Sequence, residues 1–402
     1  MSRLQDSTYA YRRFAEEGRR VAEEGHRQSE EAKRTLALRM AAEDARKAAE
    51  HAKQAASEAK RSHRNQHADR HASISVAAFS SLGVTPAFLR EFLDTHGARL
   101  RGMTSAEVCE QIVNPLTAAD GCSYCELLQA QGHAEVAPAY TVVSHAWSNR
   151  FLDLVDTLLR RFEGVGKVVL WIDIFSFNQH AATKLSGALI ENSLTHFNST
   201  VLIMQPPDNP TCLSRLWCLF EAYCCVEGRG KFEIAVSDDD IFIEAVKNGK
   251  IREHIESIDI LDASTSDDED KKIITEDILA TVGYDAFNSF VKDALKDLVI
   301  EKLLKDVDRT SDDGLEYLAL SVELGRLLVS RHRYDDAEAV FKKCVYGYRF
   351  HQGDDHPETL DAMKSLMHLY CMEGKYEQAQ PLFHELFPWA GDIVDALALL
   401  SS

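Results

Sequence analysis

The chain has 402 residues, enough for two or three domains, and its 45% hydrophobic and 27% charged content is that of folded globular protein. A formal charge of −19 excludes general binding to nucleic acid or acidic membranes, because counterion release needs a basic surface. No apolar run nears the roughly 18 residues that span a bilayer, the N-terminus lacks a signal-peptide core, and the nine cysteines are odd in number and irregularly spaced. These features predict a cytoplasmic protein with reduced thiols.

In chain order, residues 1–72 come first. They contain no proline, and their 16 Lys and Arg against 12 Asp and Glu leave nearly all the net acidity to the rest of the chain. The spacing Leu38, Ala41, Ala45, Ala48, Ala52, Ala55, Ala59 alternates three and four. It predicts one long charged helix with a coiled-coil-like seam, poorly packed because alanine buries little. His63, His67 and His71 share one face of it and read as solvated, since no thiol or carboxylate completes a metal site. Residues 73–138 read as a helical lead-in. Thr85-Pro86 and Thr104-x-x-Glu107 are helix starts, and the lone Cys122-x-x-Cys125 reads as structural thiols.

Residues 139–310 read as an α/β domain with a helical extension. Apolar runs at 140–143, 168–172, 201–204 and 232–236 alternate with helical patterns at 151–162, 185–197 and 213–226. Wholly apolar strands separated by helices predict a parallel, flavodoxin-like sheet, with Val142, Leu170, Ile203 and Ile234 on central strands. Residues 238–310 are helical, and Ser264 to Asp270 is an exposed acidic loop within them. Residues 311–402 hold a repeat. Leu324, Leu327, Tyr334, Ala337 and Phe341 recur 42 residues later as Leu366, Leu369, Tyr376, Ala379 and Phe383, which predicts stacked helical hairpins.

The chemistry-bearing segment is Arg215-Leu216-Trp217-Cys218-Leu219-Phe220-Glu221. Trp217 and Glu221 are four apart, so they share a helix face near the carboxyl ends of a parallel sheet, where open α/β folds bind ligands. A carboxylate beside a stacking ring suits a positively charged, planar, ribose-bearing ligand. A core tryptophan with a solvated glutamate fits the same residues. Trp171 and Cys218 read as core. Gly164-Val165-Gly166 precedes a strand instead of following one, so a phosphate-binding glycine loop is excluded.

The 42-residue repeat, with Gly353-Asp354-Asp355-His356-Pro357-Glu358, resembles the tetratricopeptide repeat, in its kinesin-light-chain variety. The 139–237 block resembles a TIR (Toll/interleukin-1 receptor-like) domain. The likeness rests on a strand ending in Ser144-His145-Ala146-Trp147, a second ending in Ile172-Asp173, and a third followed by a helix with Trp217-x-x-x-Glu221. The combination looks most like TIR-like, repeat-bearing proteins of protists and algae. The resemblance implies Glu221 as the catalytic carboxylate of a NAD nucleosidase. It implies Trp217 as a pocket aromatic, Ser144, His145 and Trp147 as nucleotide-pocket residues, and Asp173 at the start of the second loop, where an acid that only caps the loop fits as well. It also implies self-association of the TIR-like domain and a protein partner on the repeats. NAD would be a substrate, and neither a cofactor nor a metal is called for. The segment 174–180 lacks the usual acidic, glycine-containing pattern. A non-enzymatic adaptor is the other function these features allow, and a kinesin-light-chain-like cargo adaptor a third.

Overall fold

The computed structural model describes residues 80–181, 197–307 and 314–388. The helix expected over 1–72 with its histidines lies outside them, as does nearly all of the helix expected over 185–197.

Six strands form one sheet: β1 (Leu82–Val84), β2 (Val136–Pro138), β3 (Thr141–Ser144), β4 (Leu170–Trp171), β5 (Ser199–Met204) and β6 (Lys231–Val236). Their order is β2-β1-β4-β3-β5-β6. The four strands expected from the apolar runs pair parallel, β3 lying between β4 and β5, and β6 next to β5. The expectation of a wholly parallel sheet is corrected, however. β1 pairs antiparallel with β2 and β4, so the sheet is mixed. Both added strands come from the segment read as a helical lead-in. Each is three residues long, too short for periodicity to register. Ile234 is also corrected to an edge position, because β6 ends the sheet. That edge carries Lys231 and Glu233, and Glu233 pairs with Arg161. Charged side chains are a usual protection for an open strand edge.

Successive residues of the inner strands enter opposite cores. Val143, Leu170, Val201 and Ile203 face one layer, which contains α1 (Pro86–Leu100), α2 (Tyr124–Ala130) and α3 (Phe151–Arg161). Val142, Trp171, Leu202 and Met204 face the other, where α4 (Leu216–Glu227) packs. Local signals place the ends of these helices. Thr85 caps α1 by accepting from the Phe88 amide, with Pro86 in the first turn. Thr104 and Glu107 form a capping box at the start of the 105–117 helical run.

After β6 come α5 (Asp239–Lys247), α6 (Lys250–Glu256), α7 (Asp268–Thr281) and α8 (Tyr284–Val307). The acidic run expected as a loop instead opens α7. Asp267 caps it and Asp268, Glu269 and Asp270 occupy its first turn. Carboxylates there meet unpaired amides and the positive end of the helix dipole.

The repeat forms two antiparallel hairpins, α9 (Leu315–Ser330) with α10 (Tyr334–Gln352), and α11 (Pro357–Met372) with α12 (Tyr376–Leu386). Tyr334 and Tyr376 both begin second helices, and Ala337, Ala379, Phe341 and Phe383 are all fully buried. The tyrosines differ in exposure. Tyr334 is half-buried and meets His332 Nδ1 at 2.7 Å through its hydroxyl, whereas Tyr376 is exposed, on the last described hairpin. Within the first hairpin a Cβ on Gly325 would lie 2.4 Å from Phe341 Cε1. Gly325→Ala is therefore expected to destabilise the fold by about 1–3 kcal/mol, as overpacking does. A thermal melt followed by circular dichroism would read it, and an unchanged midpoint would mean that Phe341 has room to move.

Among the described residues no helix is long and apolar enough to cross a membrane.

Candidate functional site

β3 runs between β4 and β5, so its carboxyl end delivers Ser144 and His145 to the middle of the sheet edge. Both are buried. The hydroxyl of Ser144 and both ring nitrogens of His145 have no hydrogen-bond partner, although polar atoms this buried nearly always find one. Groups of this kind mark strain, a catalytic role or an ordered water.

β4 ends one strand away, and Asp173 follows it at the start of a single helical turn, Asp173–Ser176. Its Oδ1 accepts from the Ile174 amide at 2.8 Å, and its Oδ2 accepts from the indole N–H of Trp147 at 2.5 Å. His145 Nδ1 lies 3.7 Å from Oδ1, within ion-pair range but beyond a hydrogen bond. Burial pushes the Asp173 carboxyl above its ordinary range, against the opposing pull of His145, Trp147 and the Ile174 amide.

The third contribution comes from α4. Its start is tied to the loop before α7 by the Leu216 amide, which donates to Ser264 O at 3.0 Å. Glu221 sits in its second turn and is half-buried. Burial raises its carboxyl to about 8, the charge of Asp173 adds to the rise, and the Ser144 hydroxyl opposes it. That hydroxyl influences Glu221 without reaching hydrogen-bond geometry. Two carboxyls that are both harder to ionise than usual, beside a buried histidine, form a constellation typical of functional sites.

The structure thus brings together Ser144, His145, Trp147, Asp173 and Glu221. Trp217 stands apart. It shares the helix with Glu221, but its ring meets Phe220 edge-on at 6.5 Å and packs against the α4-side core. Trp171 is buried in the core, as expected, and donates its indole N–H to Ser80 O at 2.9 Å.

Sequence reasoning missed the Asn149–Gln205 link and the place of Cys109, while Cys218 is core as expected. Asn149 Nδ2 donates to Gln205 O at 2.7 Å, and Gln205 Nε2 donates to Arg150 O and Asp153 Oδ2, which knits the loop after β3 to the end of β5. Cys218 lies beside Ser144 and Glu221, and burial holds its thiol well above the ordinary range. Cys109 lies near Asp173 at the start of a π-helical turn, Cys109–Val113, and its thiol is pushed up to about 12, chiefly by burial. Neither thiol ionises near neutral pH, so neither is a nucleophile. A glutamine directly after an apolar strand was a usable signal for Gln205. The π turn has none in the sequence. Among the described residues no group of three or more His, Cys, Asp or Glu is arranged to hold a metal ion.

Residues 316–386 match the tetratricopeptide repeat family. No curated protein matches the chain, and no solved structure does.

Proposed function

We propose that this chain is a TIR-like signalling protein that hydrolyses NAD at the nicotinamide–ribose bond through Glu221 once it has self-associated, and that its repeats hold a protein partner. The observation that carries the reading is the position of Glu221, half-buried and facing the unpartnered Ser144 hydroxyl, with Asp173 and His145 alongside. The resemblance of the 139–237 block to TIR domains supports it, and the flavodoxin-like order of the four parallel strands is consistent with it. Tetratricopeptide repeats are protein-binding modules, and the 42-residue period favours the kinesin-light-chain type over the 34-residue form.

The chemistry follows from the charge. At pH 7 a carboxyl with a pKa of about 8 is mostly protonated. A pyridinium ring brings a positive charge beside it, and an opposite charge favours the ionised form. The ionised Glu221 then stabilises the oxocarbenium-like transition state as the ribose C1′–nitrogen bond breaks. Nicotinamide leaves as a neutral ring with the bonding electron pair, so no general acid is needed. Water adds to C1′ and its proton passes to Glu221 and on to solvent.

The test is to incubate the assembled protein with NAD and follow free nicotinamide by chromatography. Release that grows with protein concentration is expected. An assembled sample that leaves NAD intact would favour the second reading, a non-enzymatic adaptor, which the repeat at 316–386 supports in its own right.

A further inference from the structure

Two tryptophans compete for the role of the ring on which a planar ligand stacks. The TIR resemblance places both Trp217 and Trp147 at the pocket and leaves either free to stack on a base, and the geometry separates them. Trp147 is tied into the polar cluster by the 2.5 Å hydrogen bond from its indole to Asp173, whose other oxygen faces His145. Trp217 has no such bond to the cluster among the described residues, and its ring is engaged by Phe220. The backbone around Trp147 is fixed as well. Its carbonyl accepts from the Ala106 amide at 3.1 Å, and the next loop carbonyl, that of Asn149, accepts from the Ser105 amide at 3.0 Å. Asn149 is in turn bonded to Gln205. Trp147 packs against the α1-side core and is half-buried, as Trp217 is, so exposure does not separate the two rings and the polar contacts do. A ring pinned at its N–H, with its loop anchored to two neighbouring segments, is preorganised, and preorganisation is what a stacking contact requires to gain affinity.

We propose that Trp147 is the aromatic platform of this site, taking the planar ring of a nucleotide ligand, and that Asp173 is its positioning residue. The same carboxylate sits 3.7 Å from His145 Nδ1, so one group holds the platform and places its charge near the neighbouring ring nitrogen. Asp173 acts through Trp147 and His145. This inference rests on the nucleosidase reading for the identity of the ligand, and the experiment separates the two.

Protein labelled with nitrogen-15 at its indoles gives one N–H resonance per tryptophan, and Trp147→Phe assigns the signal of interest. In the wild type that signal should lie downfield, and Asp173→Asn should move it upfield. On titration with NAD it should move further than the Trp217 signal. In turnover, Trp147→Phe and Asp173→Asn should raise KM roughly tenfold, the scale of one weakened base–aromatic contact, with kcat changed less, while Trp217→Phe should leave KM within about twofold. If assembled wild type binds NAD without hydrolysing it, the nucleosidase reading falls and the indole shifts alone decide the platform. The proposal is overturned if NAD moves Trp217 and leaves Trp147 still, if Asp173→Asn leaves the Trp147 signal in place, or if NAD does not bind. Should Asp173→Asn fail to fold, Trp147→Phe against Trp217→Phe still decides.

Discussion

Glu221→Gln is expected to abolish NAD hydrolysis by roughly 10³-fold or more, while making the protein more stable at pH 8. The first half follows because the lost charge acts mainly in the transition state, where glutamine supplies no anion. The second half follows from proton linkage. The folded-state pKa of Glu221, about 8, lies above its ordinary 4.5. Between those values the folded chain holds more protons than the unfolded chain, so stability is full below about 4.5 and is lost as pH rises towards 8. Asp173 is shifted in the same direction and adds to the trend. Glutamine at 221 removes its share of that loss. Because Glu221 keeps partial exposure, the benefit at pH 8 relative to pH 5 is set at on the order of 2 kcal/mol, less than the whole shift would give. Thermal melts of both proteins at the two pH values measure it. A variant less stable than wild type at pH 8 would mean that Glu221 serves the fold, and the adaptor reading would gain. A variant both inert and more stable would be the usual signature of a residue kept for function at a cost in stability.

Phe341→Ala should be strongly damaging to the repeat. Phe341 is 1% exposed and fills the space left by Gly325 in the facing helix. Truncating a buried phenylalanine costs about 3–5 kcal/mol through lost burial and the cavity left behind. For a protein of ordinary stability that is a large share of the total. Denaturant unfolding monitored by far-ultraviolet circular dichroism would measure it. A loss below about 1 kcal/mol would show that the hairpin closes around the smaller residue.

How legible this was in advance differed by element. The four parallel strands were legible because each is apolar throughout, which only a sheet covered on both faces demands. The repeat was legible because stacking fixes Ala337 and Phe341, and with them Ala379 and Phe383, as buried positions. β1 was not legible. It is Leu82-Gly83-Val84, and its strand character comes from the partners it meets, Val136–Pro138 on one side and Leu170 on the other. The start of α7 is not legible, because an acidic cluster looks the same in a solvated loop and in a first helical turn. At the site, the sequence named Ser144, His145, Trp147, Asp173, Trp217 and Glu221, in the loops after strands or on the helix after β5, and only Trp217 stands apart from the rest. It did not show that Asp173 grips Trp147, because that contact joins loops 26 residues apart.

α8 joins the sheet to the repeats. Its buried face includes Phe287, Val291, Leu295, Val299 and Leu303, and it touches both halves of the chain. On one side Tyr223 of α4, two residues past Glu221, stacks near Phe287 and Phe290 with ring centroids 5.0 and 5.3 Å away. On the other, Arg331 at the end of α9 pairs with Asp293 and Asp297, each at 2.7 Å. Lys302 reaches Asp239 of α5 at 2.6 Å. One hydrophobic cluster accordingly runs from the sheet through α4 and α8 to Phe383. A boundary between separable domains is a place where few contacts cross. Among the described residues, α8 carries buried side chains and ion pairs across that boundary. Replacing α9 to α12 would therefore also require refitting the face of α8 that packs against them.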